Sequence, residues 1–333
     1  MRLQNLQPLL APELICALEA SGIKTDSDLL FSGSSVDILA RLPPGVVSLT
    51  ELKRCIALVE ERASAPGIRA DELLAREVAA RDADEELMSG VTSLDELVGG
   101  FGGSRVFEIS GEGGSGKSAL ALHIVLRHLV SHTNTRALWI DTVGAFSAEK
   151  TAQLLGQYHG GGAETALERL QVSFVFNIEA AHDTLEELRG TLTGHTSPDS
   201  EAKFCCVVID TVTSLFAGTL SAVSSHGHAV MTTFMYHLRA LAQTHALTFL
   251  VINGTSAAAP YNPSSAFAST VRKPALGPSF TFLTDCTLWL ATCKGASTDE
   301  EDSIHVAEVF RSRTTRSKTW CTFKIRHGVL YCA

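Results

Sequence analysis

Gly111-Glu112-Gly113-Gly114-Ser115-Gly116-Lys117-Ser118 is the stretch whose reading decides the fold. It fits G-x-x-x-x-G-K-[ST], the phosphate-binding loop. Glycines let the backbone curl so that several N–H groups point at one phosphate. Lys117 can reach the outer phosphates, and the Ser118 hydroxyl can ligate Mg²⁺. A helix starting at the end of the loop presents its positive N-terminus to the anion. The flanks agree. Arg105 to Ser110 reads as a strand leading in, and Ala119 to Val130 as a mostly apolar helix leading out. The motif therefore predicts residues 111–119, Gly111 through Ser118 plus Ala119, as the binding surface for ATP, with Lys117 catalytic and Ser118 on the metal.

Outward from the loop, strands and helices alternate. Ala137 to Asp141, Leu170 to Phe176 and Phe204 to Asp210 read as strands, as do Thr248 to Ile252 and, near the C-terminus, Thr287 to Ala291, His305 to Arg311 and Thr319 to Arg326. Helices are expected over Thr184 to Leu192 and Val230 to Thr244, and surface loops at Gly160-Gly161-Gly162 and Thr193 to Ser200. The expected class is α/β, a phosphate-loop ATPase core with a mostly parallel central sheet over residues 89–333. Continuous apolar runs such as Phe204 to Ile209 are what strands buried on both faces require. Asp210, at the end of that run, is placed to hold Mg²⁺ through water beside Ser118 and, with Lys117, is expected to be catalytic.

Upstream, residues 1–62 read as a small helical domain. Pro12 opens a helix with Leu14, Ile15 and Leu18 on one face, and Gly22 closes it. Short helices are expected after Thr25 and from Ser34 to Leu42. Ser48 with Glu51 forms a capping-box pattern ahead of Leu52, Cys55, Ile56 and Val59. Such short-helix modules often touch nucleic-acid backbone, but only Lys24, Arg41, Lys53 and Arg54 could do so here, so protein docking or plain packing competes equally. Residues 63–88 read as a linker with helical character from Ala70 to Ala80.

Composition sets limits. The 333 residues carry a net charge of −9, so any contact with DNA must be local. Eight cysteines are scattered with no C-x-x-C pair, which argues against zinc knuckles and for a reduced intracellular chain. No basic start, secretory signal or apolar run of membrane-spanning length is read, so no membrane partner is expected.

Thr92-Ser93-Leu94-Asp95-Glu96-Leu97-Val98-Gly99-Gly100 before the loop, Trp139-Ile140-Asp141-Thr142 and Val207-Val208-Ile209-Asp210-Thr211-Val212-Thr213-Ser214-Leu215 together resemble the RecA-like recombinases of eukaryotic homologous recombination. Gly22-Ile23-Lys24-Thr25, Leu185 to Thr191 and Lys273 to Phe280 are similar to the D-type paralog within that group. The resemblance covers nearly the whole chain. It implies a RecA-like core behind a helical N-terminal domain, ATP and Mg²⁺ as cofactors, and nuclear double-strand break repair. It also implies a hetero-oligomer with sibling paralogs through N-terminal domain, linker and core, and contact with single-stranded or branched DNA. Nucleotides in this family lie at subunit boundaries.

Departures from the family pattern matter as much. Where strand-exchange enzymes carry a glutamate that positions the attacking water, this chain has Val143; loss of such a group costs about two to four orders of magnitude in rate. Asp141 or Glu149 are the residues that could substitute. Lys150 stands where the family has an arginine against the base. Asn253 is followed by Gly254 rather than a glutamine that relays the nucleotide state. The first expected DNA loop, Ala217 to His228, holds His226 and His228 but no Lys or Arg. The second, Thr255 to Leu276, offers only Arg272 and Lys273 as cations, with Tyr261 and Phe267 for stacking. Arg311, Arg313, Arg316 and Lys318 form the densest basic cluster, read as a solvated hairpin tip or as a phosphate or subunit contact. The expectation is an ATP-binding paralog with weak hydrolysis and weak DNA binding. The alternatives are an ATP-gated scaffold without direct DNA contact and an active DNA-dependent ATPase.

Overall fold

A computed structural model describes residues 2–7, 9–64, 67–83, 87–158, 160–194, 202–220, 225–258, 261–293 and 302–333. Parts of the expected linker, of both expected DNA loops and of the 193–200 loop lie outside the described residues. The chain divides into two compact units, residues 1–76 and 77–333.

The first unit begins with a 3-10 turn, Leu3–Leu6, then α1 (Pro12–Ala20), α2 (Asp26–Phe31), α3 (Ser35–Arg41) and α4 (Leu49–Ala63). Leu3, Leu14, Leu18, Leu29, Ile38 and Leu52 meet in its core. Caps set the boundaries. Thr25 with Asp28, and Ser34 with Asp37, each close a reciprocal capping box. At Ser48 only half of the expected box forms, the Ser48 hydroxyl accepting from the Glu51 N–H at 3.2 Å. Helix α5 (Ala70–Ala83) follows.

The second unit opens with α6 (Thr92–Val98). It then runs β1 (Val106–Gly111), α7 (Lys117–Ser131), β2 (Thr135–Asp141), α8 (Ala148–Leu155), α9 (Ala166–Arg169), β3 (Leu170–Phe174), α10 (Ile178–Gly194), β4 (Lys203–Asp210), α11 (Val212–Phe216), α12 (His226–His245) and β5 (Thr248–Asn253). A short hairpin, β6 (Thr255–Ala257) with β7 (Arg272–Pro274), precedes α13 (Gly277–Leu283). The chain ends with β8 (Cys286–Thr292), β9 (Asp302–Ser312), β10 (Trp320–Arg326) and β11 (Val329–Cys332). Nine strands form one sheet in the order β11-β10-β9-β8-β1-β5-β4-β2-β3. From β8 to β3 all neighbours are parallel; β9, β10 and β11 add an antiparallel extension.

Helix α7 covers one face of the sheet, burying Leu120, Ala121, Ile124 and Leu129 against Phe107, Ile109 and Val208. Helices α10, α11, α12 and α13 cover the other, around Val106, Ile140, Phe234 and Phe249. Each large aliphatic side chain so buried contributes about 1.5–3 kcal/mol. Strand β1 lies between β5 and β8, so the chain leaves it on one side and returns on the other. Ligands bind at the carboxyl ends of strands at such a reversal.

Three sequence expectations change. Helix α12 starts at His226, so His226 and His228 form its first turn rather than a loop tip; Gly227 is buried there, its Cα close to the Thr219 backbone. The Gly160-Gly161-Gly162 segment is not simply a surface loop. Gly162 is buried against Leu129 and Val130, and its carbonyl accepts from the buried Arg169, which also bonds Leu129, His132 and Thr135 carbonyls. Strand β3 ends at Phe174, leaving Phe174 and Phe176 exposed.

Candidate nucleotide site

Strand β1 is buried along its length and delivers the loop at the carboxyl edge of the sheet. Close approach to backbone dictates one glycine of the loop, and backbone conformation a second. A Cβ at Gly111 would collide with the Leu290 carbonyl of β8, and one at Gly116 would lie 2.6 Å from Ile325 Cδ1. Gly116 also has φ +91°, a left-handed conformation that fits glycine, and it caps α7 at Lys117.

Lys117 Nζ donates to the carbonyls of Gly111 (2.9 Å) and Glu112 (2.7 Å), so the ammonium is held over its own loop. Burial pulls its pKa down, against the pull of Asp210 and Glu112. Ser118 lies beside the Asp210 carboxyl and lowers its pKa, bringing the two expected metal residues together. Asp210 is buried, and desolvation raises its pKa; Asp141 adds to that, while Ser118 and Lys117 oppose it. The Ser115 hydroxyl is buried without a partner. An orphaned donor, a loop with no room for a Cβ at Gly111 and a lysine with loop carbonyls to bind are the chemistry of a polyphosphate site. The residues present fit Mg-ATP.

Beside the loop lies a cavity of about 350 Å³, lined by Gly114, Gly116, Lys117, Ser118 and Ala119 together with Ser303, His305 and Ile325. The last three were not anticipated. His305 Nδ1 meets the Ser115 carbonyl at 3.1 Å and its Nε2 meets Ser303 Oγ at 2.7 Å. Burial lowers the His305 pKa, so the neutral ring ties β9 to the phosphate loop. Alternation along an antiparallel strand was the only sequence signal that could have pointed His305 inward. Lys150 lies in the first turn of α8 with its side chain exposed and does not line this cavity.

At the end of β2 the carboxylate of Asp141 accepts three backbone N–H groups, from Val143 (2.9 Å), Gly144 (2.8 Å) and Phe146 (2.8 Å). It is committed to the turn and not placed to replace the missing glutamate. Val143 is 52% exposed at that turn. Asn253 is fully buried: Nδ2 donates to Glu108 Oε1 (2.7 Å) and the Ala275 carbonyl (2.9 Å), and Oδ1 accepts from Thr213 (2.7 Å). Burial raises Glu108 to about 7, opposed by the bonds from Asn253 and Thr287.

The basic residues are largely engaged. Arg272 Nε lies 3.1 Å from Glu112 Oε1 in the phosphate loop. Lys273 is half-buried on β7. Arg311 donates to the Thr281 carbonyl (2.8 Å) and covers the Phe282 ring; Arg313 donates to the Phe282 carbonyl (2.8 Å); Lys318 donates to the Pro263 carbonyl (2.9 Å). Arg313, Arg316 and Lys318 remain exposed at the β9–β10 hairpin, so the cluster is a solvated tip whose Arg311, Arg313 and Lys318 also tie it to α13 and to the segment before β7. Among the described residues, no helix is long and apolar enough to cross a membrane, and no His/Cys/Asp/Glu group could hold a metal by itself.

A family model described as Rad51 matches residues 81–326. The chain is 29% identical over 289 residues to "DNA repair protein RAD51 homolog 4" of Bos taurus, spanning 86% of this chain and 83% of that protein. It is 31% identical over 217 residues to the protein of the same name from Mus musculus, 64% of this chain and 62% of that protein. It is 29% identical over 171 residues to "DNA repair and recombination protein RadB" of Thermococcus gammatolerans, 50% of this chain and 69% of that one. The crystal structure of the RadB recombinase superposes with a TM-score of 0.58 at 21% identity, covering 74% of this chain and 99% of that one, a likeness of fold.

Proposed function

The chain belongs to the Rad51 family, and from that premise we propose that it is an ATP-binding recombinase paralog. It acts in the nucleus in double-strand break repair by homologous recombination, within a complex of sibling paralogs. The kinship to proteins named for DNA repair supports the biological setting. The observation that carries the biochemical reading is the split state of the site. The binding half is supported by Lys117 held on the loop and Ser118 beside Asp210. The water-positioning half is empty, with Val143 exposed and Asp141 held by three N–H groups.

In this reading Gly111 to Ser118 and Ala119 hold the phosphates, Lys117 neutralises their charge, Ser118 ligates Mg²⁺ and Asp210 orders it through water. Mg-ATP, when bound, supplies the charge that organises the loop and the surface a neighbouring subunit reads. Val143 offers no group to orient a nucleophilic water and Asp141 is held by its own turn, so hydrolysis is slow. Contact with single-stranded or branched DNA through Arg272 and Lys273 is weak, because one of these two cations is already paired.

Equilibrium Mg-ATP binding beside single-turnover hydrolysis, with and without single-stranded DNA, tests this. Tight binding with slow, DNA-insensitive turnover supports it. Fast DNA-stimulated turnover overturns it in favour of an active motor. Assembly with paralogs but no DNA binding at low salt would make the chain a scaffold.

A further inference from the structure

Glu112 fills the second, unrestricted position of the phosphate loop. The loop gathers donors around an anion, yet its second position carries a carboxylate that repels one. Its charge is met by Arg272, Nε to Oε1 at 3.1 Å, from a segment far along the chain. The Arg272 backbone is well anchored. Ala257 pairs with it across the β6–β7 hairpin, and its carbonyl accepts from Asn262 Nδ2 at 2.9 Å. The hairpin is tied at one end to β5, Ala275 N–H donating to the Gly254 carbonyl at 2.9 Å. At the other it is tied to the antiparallel extension. Ser265 Oγ donates to the buried Glu308 at 2.8 Å, the Ala266 N–H also donates to Glu308, and Phe267 packs on Trp320.

The side chain is the movable part. Arg272 is 47% exposed and Glu112 59%, and an ion pair in that setting is worth little. It is therefore readily exchanged for a stronger anion, and a phosphate chain is one. Gly254, beside the hairpin base, has no side chain with which to sense the nucleotide.

Resting on the nucleotide-binding reading above, we propose that Arg272 is shared between Glu112 and the outer phosphates of a nucleotide bound in the same chain. The paired strands β6 and β7 are thereby tied to the triphosphate state. Arg272 is then a positioning residue of the hairpin and a ligand of the nucleotide, and Glu112 is its resting partner.

The test compares the full-length wild type with Arg272→Ala, Arg272→Lys and Glu112→Gln. It reads equilibrium binding of Mg-ATP and of Mg-ADP, and hydrogen exchange at the Ala258, Asn262 and Ala275 amides, which make the hairpin's bonds. Arg272→Ala should weaken ATP about fivefold relative to ADP and abolish the ATP-induced slowing of exchange. Arg272→Lys, which keeps the charge, should retain part of both effects. Glu112→Gln should act in the opposite direction and tighten ATP by a similar factor. A merely structural pair would loosen the hairpin in both variants and leave the ATP-to-ADP ratio alone, which overturns the proposal while nucleotide binding stands. Absence of ATP binding by the wild type overturns the nucleotide reading, and this inference with it.

Discussion

Asp141 and Asp210 are cross-strand partners at the ends of β2 and β4. Each closes an apolar strand, and by sequence each looks like a nucleotide-site acid. Their surroundings separate them. Asp141 accepts three N–H groups from its own turn, so its charge is spent on backbone. Asp210 has the Ser118 hydroxyl and the field of Lys117, and desolvation keeps its pKa high. The first acid builds a platform and the second waits for a cation. An acidic strand end thus takes its role from the donors around it, and the donors differ because Asp210 lies beside Lys117 and Ser118 at the start of α7.

Changing the platform should produce the largest effect. Val143→Glu places a carboxylate on an intact turn and should raise single-turnover hydrolysis by about a hundredfold or more. No change would mean that the missing part belongs to a neighbouring subunit, and the two strand ends would differ less than their hydrogen bonds suggest. Next in size, Asp141→Ala strands three N–H groups and should cost about 3 kcal/mol of stability by urea denaturation. A loss under about 1 kcal/mol would show that the turn does not depend on the acid.

Asp210→Asn sharpens the contrast. A carboxyl whose folded pKa is raised stabilises the fold at low pH, and that contribution is lost as pH rises from the ordinary value of 3.8 through the raised one. Removing the charge should therefore leave stability at pH 7 equal or higher, while Mg²⁺-dependent ATP affinity falls about tenfold. Lower stability with unchanged Mg²⁺ dependence would assign Asp210 the same structural role as Asp141. The same sign applies to Glu108, raised to about 7: stability should fall between pH 4.5 and 7, and Glu108→Gln should flatten that slope.

Much of this site is legible in sequence because its signals are local. The phosphate loop, the apolar run into Asp210 and the absence of a glutamate at 143 each sit within a few residues. His305, Ser303 and Ile325 were not legible, because an antiparallel extension distant in sequence carries them to the loop. The carbonyl contacts of Arg311, Arg313 and Lys318, at an otherwise solvated hairpin tip, were hidden for a related reason. Charge spacing does not show that three backbone carbonyls will accept those donors. The start of α12 was hidden because His226-Gly227-His228 has weak helix propensity, and packing of Gly227 against the Thr219 backbone overrides it.

A third strand end gives the smallest effect and the finest test. Strand β5 lies beside β4 and ends at Asn253, with Gly254 next. The amide of Gly254 donates to Thr213 Oγ1 at 2.7 Å, and a Cβ there would lie 3.2 Å from that same oxygen. Its φ is not left-handed, so a side chain faces mild crowding rather than backbone strain. Thr213 cannot turn away freely, because it also donates to Asn253 at 2.7 Å. Gly254→Gln should therefore fold and cost about 1 kcal/mol, read as a shift in urea midpoint. A cost above about 3 kcal/mol would mean that packing against Thr213 demands glycine. A cost near the expected value would mean that the site tolerates a side chain, and that glycine here reflects how the chain uses its nucleotide rather than how it folds.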